Sequence, residues 1–315
     1  MQLTQTKEGE RQDRRIKVRS PMSRARLHTT LLAYTFLLPS LIGLFAFLLL
    51  PVVAVAILSF FNWSLIGTAQ FIGLKNYETV FHSATVGNSL LVTTYYVLLN
   101  IPAQTVLALL LALLMNKKLR GIGIFRTIYV VPWMATPVAM GIVWQWIFDP
   151  RYGALNTFLG AFGLHDIAWL TTTPLAMPSV AAVNIWQFTG YNMLFFLAGL
   201  QSIPSDLYEA SSIAGASRWK TFWHVTLPLL SPTMFFVLVT DIIGSFQVFD
   251  TVFVMTQGGP GHATDTINFE IYRQAFVYFH AGYASALSMV LFGIILLVTI
   301  AQALYFRKRT VYDMS

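Results

Sequence analysis

The chain has 315 residues, of which 56% are hydrophobic and only 10% charged. Average soluble domains carry about 25% charged residues, so an ordinary water-facing surface is excluded and a membrane-embedded chain is indicated. There is no cysteine, which excludes a disulfide framework, a thiolate metal site and a cysteine nucleophile.

The net charge of +7 resembles a nucleic-acid signal until the charges are located. Lys7, Arg11, Arg14, Arg15, Lys17, Arg19, Arg24 and Arg26 all precede the first apolar segment. Basic residues in that place hold a helix end on the cytoplasmic side of a bilayer, and no nucleic-acid partner is expected. The tail, residues 1–29, is expected to be disordered. It is too long and polar, and the apolar stretch after it too long, for a cleaved signal peptide.

About 20 apolar residues cross a hydrocarbon core. Six stretches qualify in chain order: 30–61, 88–116, 127–148, 177–200, 233–255 and 282–306. Their apolar residues are consecutive rather than alternating, so they read as helices and not barrel strands. Lys117, Lys118, Arg120 and Arg126 follow the second stretch, Arg218 and Lys220 the fourth, and Arg307, Lys308 and Arg309 the sixth. With the N-terminal tail, seventeen Lys and Arg fall on one side, while only Lys75, Arg151 and Arg273 fall on the other. The bias places both termini in the cytoplasm. The expected fold is an all-α integral membrane protein of six transmembrane helices spanning 30–309, with a second cytoplasmic tail at 310–315.

No catalytic constellation emerges. Gly215-Ala-Ser-Arg-Trp-Lys220-Thr221 has Trp219 where a phosphate loop needs its second glycine. Gly121-Ile-Gly123 lacks the third glycine of a dinucleotide fingerprint, and Gly258-Gly259-Pro260-Gly261 reads as a tight external loop. The six histidines form no His-Glu-x-x-His pair, and no G-x-S-x-G elbow is present. A metal site, a cofactor and enzymatic activity are therefore not expected, and any energy for uphill transport has to come from another chain.

The loop between the fourth and fifth stretches, 203–228, reads as a helix–turn–helix at the membrane surface. Ser205 is placed to N-cap a first helix with Asp206 in its first turn, and Gly215 to end it in the left-handed conformation. Ser217 then caps a second helix carrying Trp219, Phe222, Trp223 and Thr226 on one face, before Pro228 and Pro232. The loop resembles the EAA loop of ABC importer permeases, E-A-A-x3-G-x9-I-x-L-P, through Glu209, Ala210, Gly215, Leu227 and Pro228. Ser211 stands for the motif's second alanine and Val225 for its isoleucine. Phe71-Ile-Gly-Leu-Lys-Asn-Tyr77, Phe125-Arg-Thr-Ile-Tyr-Val-Val-Pro132, Ser245-Phe-Gln-Val-Phe-Asp250 and Gly282-Tyr-Ala-Ser-Ala286 resemble the carbohydrate-uptake branch of the type I importers. That resemblance implies a permease subunit of the bacterial inner membrane, working by alternating access. It implies as partners a second, usually different, permease, two ATP-binding subunits that hydrolyse ATP, and an external solute-binding protein. It also implies that Glu209, Ala210, Ser211, Gly215, Leu227 and Pro228 couple the channel to the ATPase.

Polar groups inside a bilayer are costly and therefore candidates for function. Asn184, Gln187 and Tyr191 share about 60° of one helix face, and Phe246, Gln247 and Asp250 follow in the fifth stretch. Amides, a carboxylate and aromatic faces suit a sugar; the same residues could instead fasten helices together. Thr93, Tyr96, Asn100 and Gln104 lean toward fastening, and Asp241, almost opposite Asp250, toward a structural or coupling role. A glycerol-phosphate importer, or a carrier or channel working alone, are the alternatives.

Overall fold

The structure, a computed structural model, describes residues 24–117 and 120–307, with side chains described from residue 32 onward. The chain divides into two compact units, Met1–Ala54 and Val55–Ser315. In the first, helix α1 (Arg24–Leu44) passes through a π-helical turn, Phe45–Leu49, into α2 (Leu50–Leu58). Residues 24–29 of the expected disordered tail are thus helical, because the charge-free apolar run is already preceded by a good helix-forming stretch. Residues 1–23 and the tail at 310–315 lie outside the described residues. None of residues 32–54 is buried.

The second unit opens with a two-stranded hairpin, β1 (Phe61–Asn62) against β2 (Gln70–Phe71), and an amphipathic helix α3 (Lys75–His82). Asn76 fastens the two, its amide donating to the carbonyls of Ser59 and Phe61 at 2.8 and 2.9 Å. Helix α4 (Ala84–Met115) is 32 residues long, or about 48 Å at 1.5 Å per residue.

The third apolar stretch was expected as one helix over 127–148, and here the structure differs. It is two helices, α5 (Ile122–Met134) and α6 (Pro137–Ile147), bent by 97° at a break of two residues, Ala135 and Thr136. Pro137 lacks an N–H and disfavours helical conformation in the residue before it. Thr136 is accordingly extended (ψ 140°), and its hydroxyl caps α6 by accepting from the Ala139 N–H. A short helix α7 (Ala154–Gly160) follows.

Helix α8 (Thr173–Ser202) is continuous over 30 residues and contains the expected fourth span. It is long enough to cross a membrane, but its polar residues place it outside the set that qualifies on apolar composition. Among the described residues that set holds Leu32–Leu58, Ala84–Met115, Ser231–Met255 and Ala281–Arg307, and a fifth member if the bent pair α5–α6 counts as one span. After α8 come α9 (Ser205–Ile213), α10 (Arg218–Thr221), a π-helical turn Phe222–Thr226, α11 (Leu227–Leu229) and α12 (Ser231–Phe246). The fifth stretch is interrupted at Gln247–Phe249 before α13 (Asp250–Met255). Then follow α14 (Ile267–Tyr272), which runs into a π-helical turn at Arg273–Val277, and the long α15 (Ala281–Arg307).

Packing centres on α8. Ala108 and Ala112 of α4 are fully buried beside Met193, Phe196, Leu197 and Leu200 of α8, and small residues of this kind let helix backbones approach. Gly190 brings α8 against α5: a Cβ there would lie 1.7 Å from the Tyr129 carbonyl oxygen. The 257–262 segment is a tight turn, with positive φ at Gln257, Gly258, Gly261 and His262. It is tied by the Thr264 hydroxyl donating to Gly259 O at 2.6 Å. Buried Asp265 meets the Arg273 guanidinium at 2.7 Å, and Glu270 pairs with the same arginine.

Replacing Gly190 by leucine should force α5 and α8 apart. Overpacking costs about 1–3 kcal/mol, read as a lower unfolding temperature in detergent, while Gly87→Leu, where a Cβ meets nothing within 4 Å, should leave that temperature unchanged.

Candidate functional site

Three helices bring polar side chains to one place in the middle of the second unit. Asn100 and Gln104 come from successive turns of α4. Asn184, Tyr191 and Asn192 lie on one side of α8, and Thr240, Asp241 and Ser245 come from α12. With Phe188 and Gly244 they line a cleft of about 150 Å³. Asp241 is the organising group. Its carboxylate accepts from the Asn192 amide with both oxygens at 2.8 Å, and from the Gln104 amide at 3.1 Å.

The direction of the remaining hydrogen bonds follows from that acceptor. Gln104 turns its NH₂ to Asp241 and so presents its carbonyl to Asn100. Asn100 must then present its own NH₂, which donates to Gln104 Oε1 at 3.2 Å and to the Ser245 hydroxyl at 3.1 Å. Asn100 Oδ1 is buried and has no partner in the protein. The cleft thus holds one carboxylate, with an unmet acceptor buried behind its lining. Within α4, α8 and α12 Asp241 is the one charged side chain.

The residues expected on a solute path divide among different surroundings. Asn184 and Tyr191 line this cleft. Tyr191 stacks on Trp133 of α5, ring centroids 4.4 Å apart and planes within 12°. Gln187, on the same helix face by spacing, is fully buried, and its amide donates to Ala135 O at 3.0 Å, satisfying a carbonyl freed by the α5–α6 break. Phe246 is buried among Val80, Val86, Ile267 and Leu287. Gln247 and Asp250 are exposed and line a second, separate cleft with Asn268 and Ser288. Sequence reasoning assigned Asn100, Gln104 and Asp241 to fastening or structural roles and passed over Asn192 and Thr240. Asn192 is eight residues from Asn184, two further turns along the same face, and that spacing was the available signal.

The 203–228 loop forms the expected helical hairpin, with one difference at its start. Pro204 occupies the cap position (ψ 136°) and Ser205 the first helical turn, so Ser205 does not cap α9. Proline's fixed φ fits that boundary and moves it back by one residue. Gly215 has φ +70° and ends the helix, and Ser217 caps α10 by accepting from the Lys220 N–H. Ser211 ties the two arms together, donating to Tyr208 O at 2.8 Å and lying 3.2 Å from the Thr221 hydroxyl. Glu209, Ala210, Gly215 and Pro228 are exposed, Leu227 is half-buried, and Ile213 at the tip is 88% exposed. Trp219, Phe222 and Trp223 form one ring cluster, while Thr226 of the expected shared face is buried against Tyr208. No group of three or more metal-ligating side chains occurs among the described residues.

Residues 104–311 match the family described as the binding-protein-dependent transport system inner membrane component. The chain is 34% identical over 273 residues to the trehalose/maltose transport system permease protein MalF of Thermococcus litoralis, covering 85% of this chain and 91% of that one. It is 37% identical over 248 residues to the sn-glycerol-3-phosphate transport system permease protein UgpA of Agrobacterium fabrum, covering 78% and 84%. Its fold superimposes with a TM-score of 0.80, at 24% identity, on a chain of a bacterial ABC transporter involved in import of the acidic polysaccharide alginate, covering 91% and 99%. A polar cleft between long helices, several of them apolar enough to cross a membrane, and an exposed helical hairpin fit a membrane permease. The chain belongs to the inner membrane components of binding-protein-dependent transport systems, the permeases of ABC importers.

Asn192→Leu should destabilise the protein by about 3 kcal/mol, because it strips a buried carboxylate of its bidentate partner. Adding Asp241→Leu should restore most of that loss. Unfolding temperatures of the two variants in detergent check both statements; an unaltered Asn192→Leu protein contradicts them.

Proposed function

We propose that the chain forms half of the transmembrane passage of an ATP-driven, binding-protein-dependent sugar importer in a bacterial cytoplasmic membrane. The observation carrying this reading is the family match over 104–311, combined with a mid-helix cleft that pairs amides and a carboxylate with the rings of Phe188 and Tyr191. Sugars present hydroxyls to the former and apolar ring faces to the latter. The relative named for trehalose and maltose supports an oligosaccharide or similar polyol as cargo. The relative named for sn-glycerol 3-phosphate favours the second reading, a phosphorylated polyol.

In this reading the chain crosses the membrane six times, with the bent pair α5–α6 as the third crossing and α8 as the fourth. Both termini face the cytoplasm, as the distribution of Lys and Arg requires. Asn184, Tyr191, Gln247 and Asp250 border the path on two sides of α12, while Gln187 and Phe246 hold the helices that form it. The partners are a second permease different from this one, two ATP-binding subunits and an external solute-binding protein. The chain itself is non-catalytic; its partners hydrolyse ATP.

Coupling runs through the 203–228 hairpin. Glu209, Ala210 and Ile213 present an exposed ridge on α9, and Ser211 makes the hairpin one body by tying α9 to α10. Closure of the ATPase pair moves that body, and Leu227 and Pro228 carry the motion into α12. Alternating access follows, with the loaded binding protein docking on the external face.

Gly215→Val introduces a β-branched side chain at φ +70°, a left-handed conformation costing about 1–2 kcal/mol. A tagged Gly215→Val or Glu209→Lys chain should lose most of the ATP-binding subunit on purification from its native membrane and retain the second permease. Asp250→Ala should keep the whole complex and lower uptake of the disaccharide that the wild-type complex accumulates. Retention of the ATP-binding subunit by both hairpin variants would falsify the coupling role.

A further inference from the structure

The geometry points to Asp241 as a charge filter that rejects anions, so that this half-channel passes an uncharged, hydroxyl-rich solute rather than a phosphorylated or uronic one. The inference rests on the reading of the Asn184–Tyr191–Asp241 cleft as part of the solute path. Three observations carry it.

The first is charge. Asp241 is the one charged group lining the cleft, and Arg126 and Arg307 stand at helix ends, outside its lining. A phosphate or carboxylate entering the cleft would meet a like charge in a low-dielectric setting and no guanidinium or ammonium. Anion recognition uses such cations or backbone N–H groups at helix N-termini, and the cleft is lined at mid-helix.

The second is the supply of hydrogen bonds. The amide NH₂ groups of Gln104, Asn192 and Asn100 are already turned to Asp241, Gln104 and Ser245. What remains on the carboxylate is the second lone pair of Asp241 Oδ2, since Oδ1 already accepts from both Gln104 and Asn192, and it lies on the same lining as the Asn184 amide and the Tyr191 hydroxyl. A hydroxyl group can donate to Oδ2 and accept from Asn184. A fully ionised phosphate offers no donor for that oxygen.

The third is the shape of the wall. Phe188 and Tyr191 line the cleft beside the carboxylate, so an apolar surface adjoins the polar groups, as the two faces of a saccharide ring require. The same carboxylate therefore both recognises hydroxyls and repels a competing anion.

Because the protein contains no cysteine, a single reporter can be placed in the assembled transporter without background from this chain. Thr240→Cys puts a thiol on the cleft lining, and Tyr152→Cys puts one on an exposed loop (79% exposed) as a reference. The rates of modification by the neutral hydroxyethyl and the anionic sulfonatoethyl methanethiosulfonates are compared, each normalised to the reference position. With Asp241 present, the anionic reagent should react at least about tenfold more slowly than the neutral one at the cleft. In Asp241→Asn the ratio should move to near one; the Asn192→Leu/Asp241→Leu pair removes the same charge and serves if Asp241→Asn does not assemble. An unchanged ratio after removal of the charge overturns the filter while leaving the path reading intact. A cleft thiol that reacts with neither reagent, with the reference thiol reactive, overturns the path reading and the filter with it.

Discussion

A carboxylate buried between three long helices, with no cation among the described residues lining its cleft, is tolerated only where hydrogen bonds meet it. Asp241 is met by N–H donors from two other helices, and this requirement sets much of what surrounds it. Gln104 and Asn192 must stand opposite Asp241 at fixed heights, so α4, α8 and α12 are held in one register. Asn100 and Ser245 extend the same chain of donors by one turn. An apolar interface between these helices could slide by a turn at little cost, because one Leu or Ala ridge resembles the next. A single polar network cannot, since any shift leaves a charge unpaired.

Helix α8 is where the two demands on the chain meet. One side carries Gly190 and Gln187, which seat it against the broken α5–α6 pair and satisfy the carbonyl that the break releases. Another carries Asn184, Tyr191 and Asn192 into the cleft. The helix gives up apolar composition for these contacts. Departures from a purely apolar pattern are expected where a chain has a task besides folding.

Much of this was legible from residue order. The charge-free runs and the turn chemistry of Gly215 and Ser217 act locally, and the long helices and the hairpin follow them, the third stretch excepted. The break in the third stretch was signalled by Thr136-Pro137, yet a search for apolar length alone passes over it, because Ala, Thr and Pro barely lower hydropathy. The surroundings of the polar residues inside the helices were harder to read because spacing on a helix says which residues share a face, not which neighbour that face meets. Asn184 and Gln187 are one turn apart and end in different surroundings. Periodicity placed Asp241 opposite Asp250, and the two do border different clefts, although α12 ends at Phe246 and the regular count stops there. The value of Asp241 became visible only when Asn192 and Gln104, 49 and 137 positions away, were found beside it.

The hairpin and the cleft lie on the same continuous piece of chain. Leu227 and Pro228 lead directly into α12, which carries Asp241 thirteen residues further on. Movement of the hairpin can therefore reach the residue that fixes the register of the surrounding helices. Gentle purification of the tagged chain from its native membrane, followed by reconstitution in liposomes, tests this account most directly. It predicts that an ATP-binding subunit and a second permease accompany the chain, and that sugar accumulates only with ATP and a solute-binding protein present. A chain that purifies alone and moves solute without ATP would contradict it.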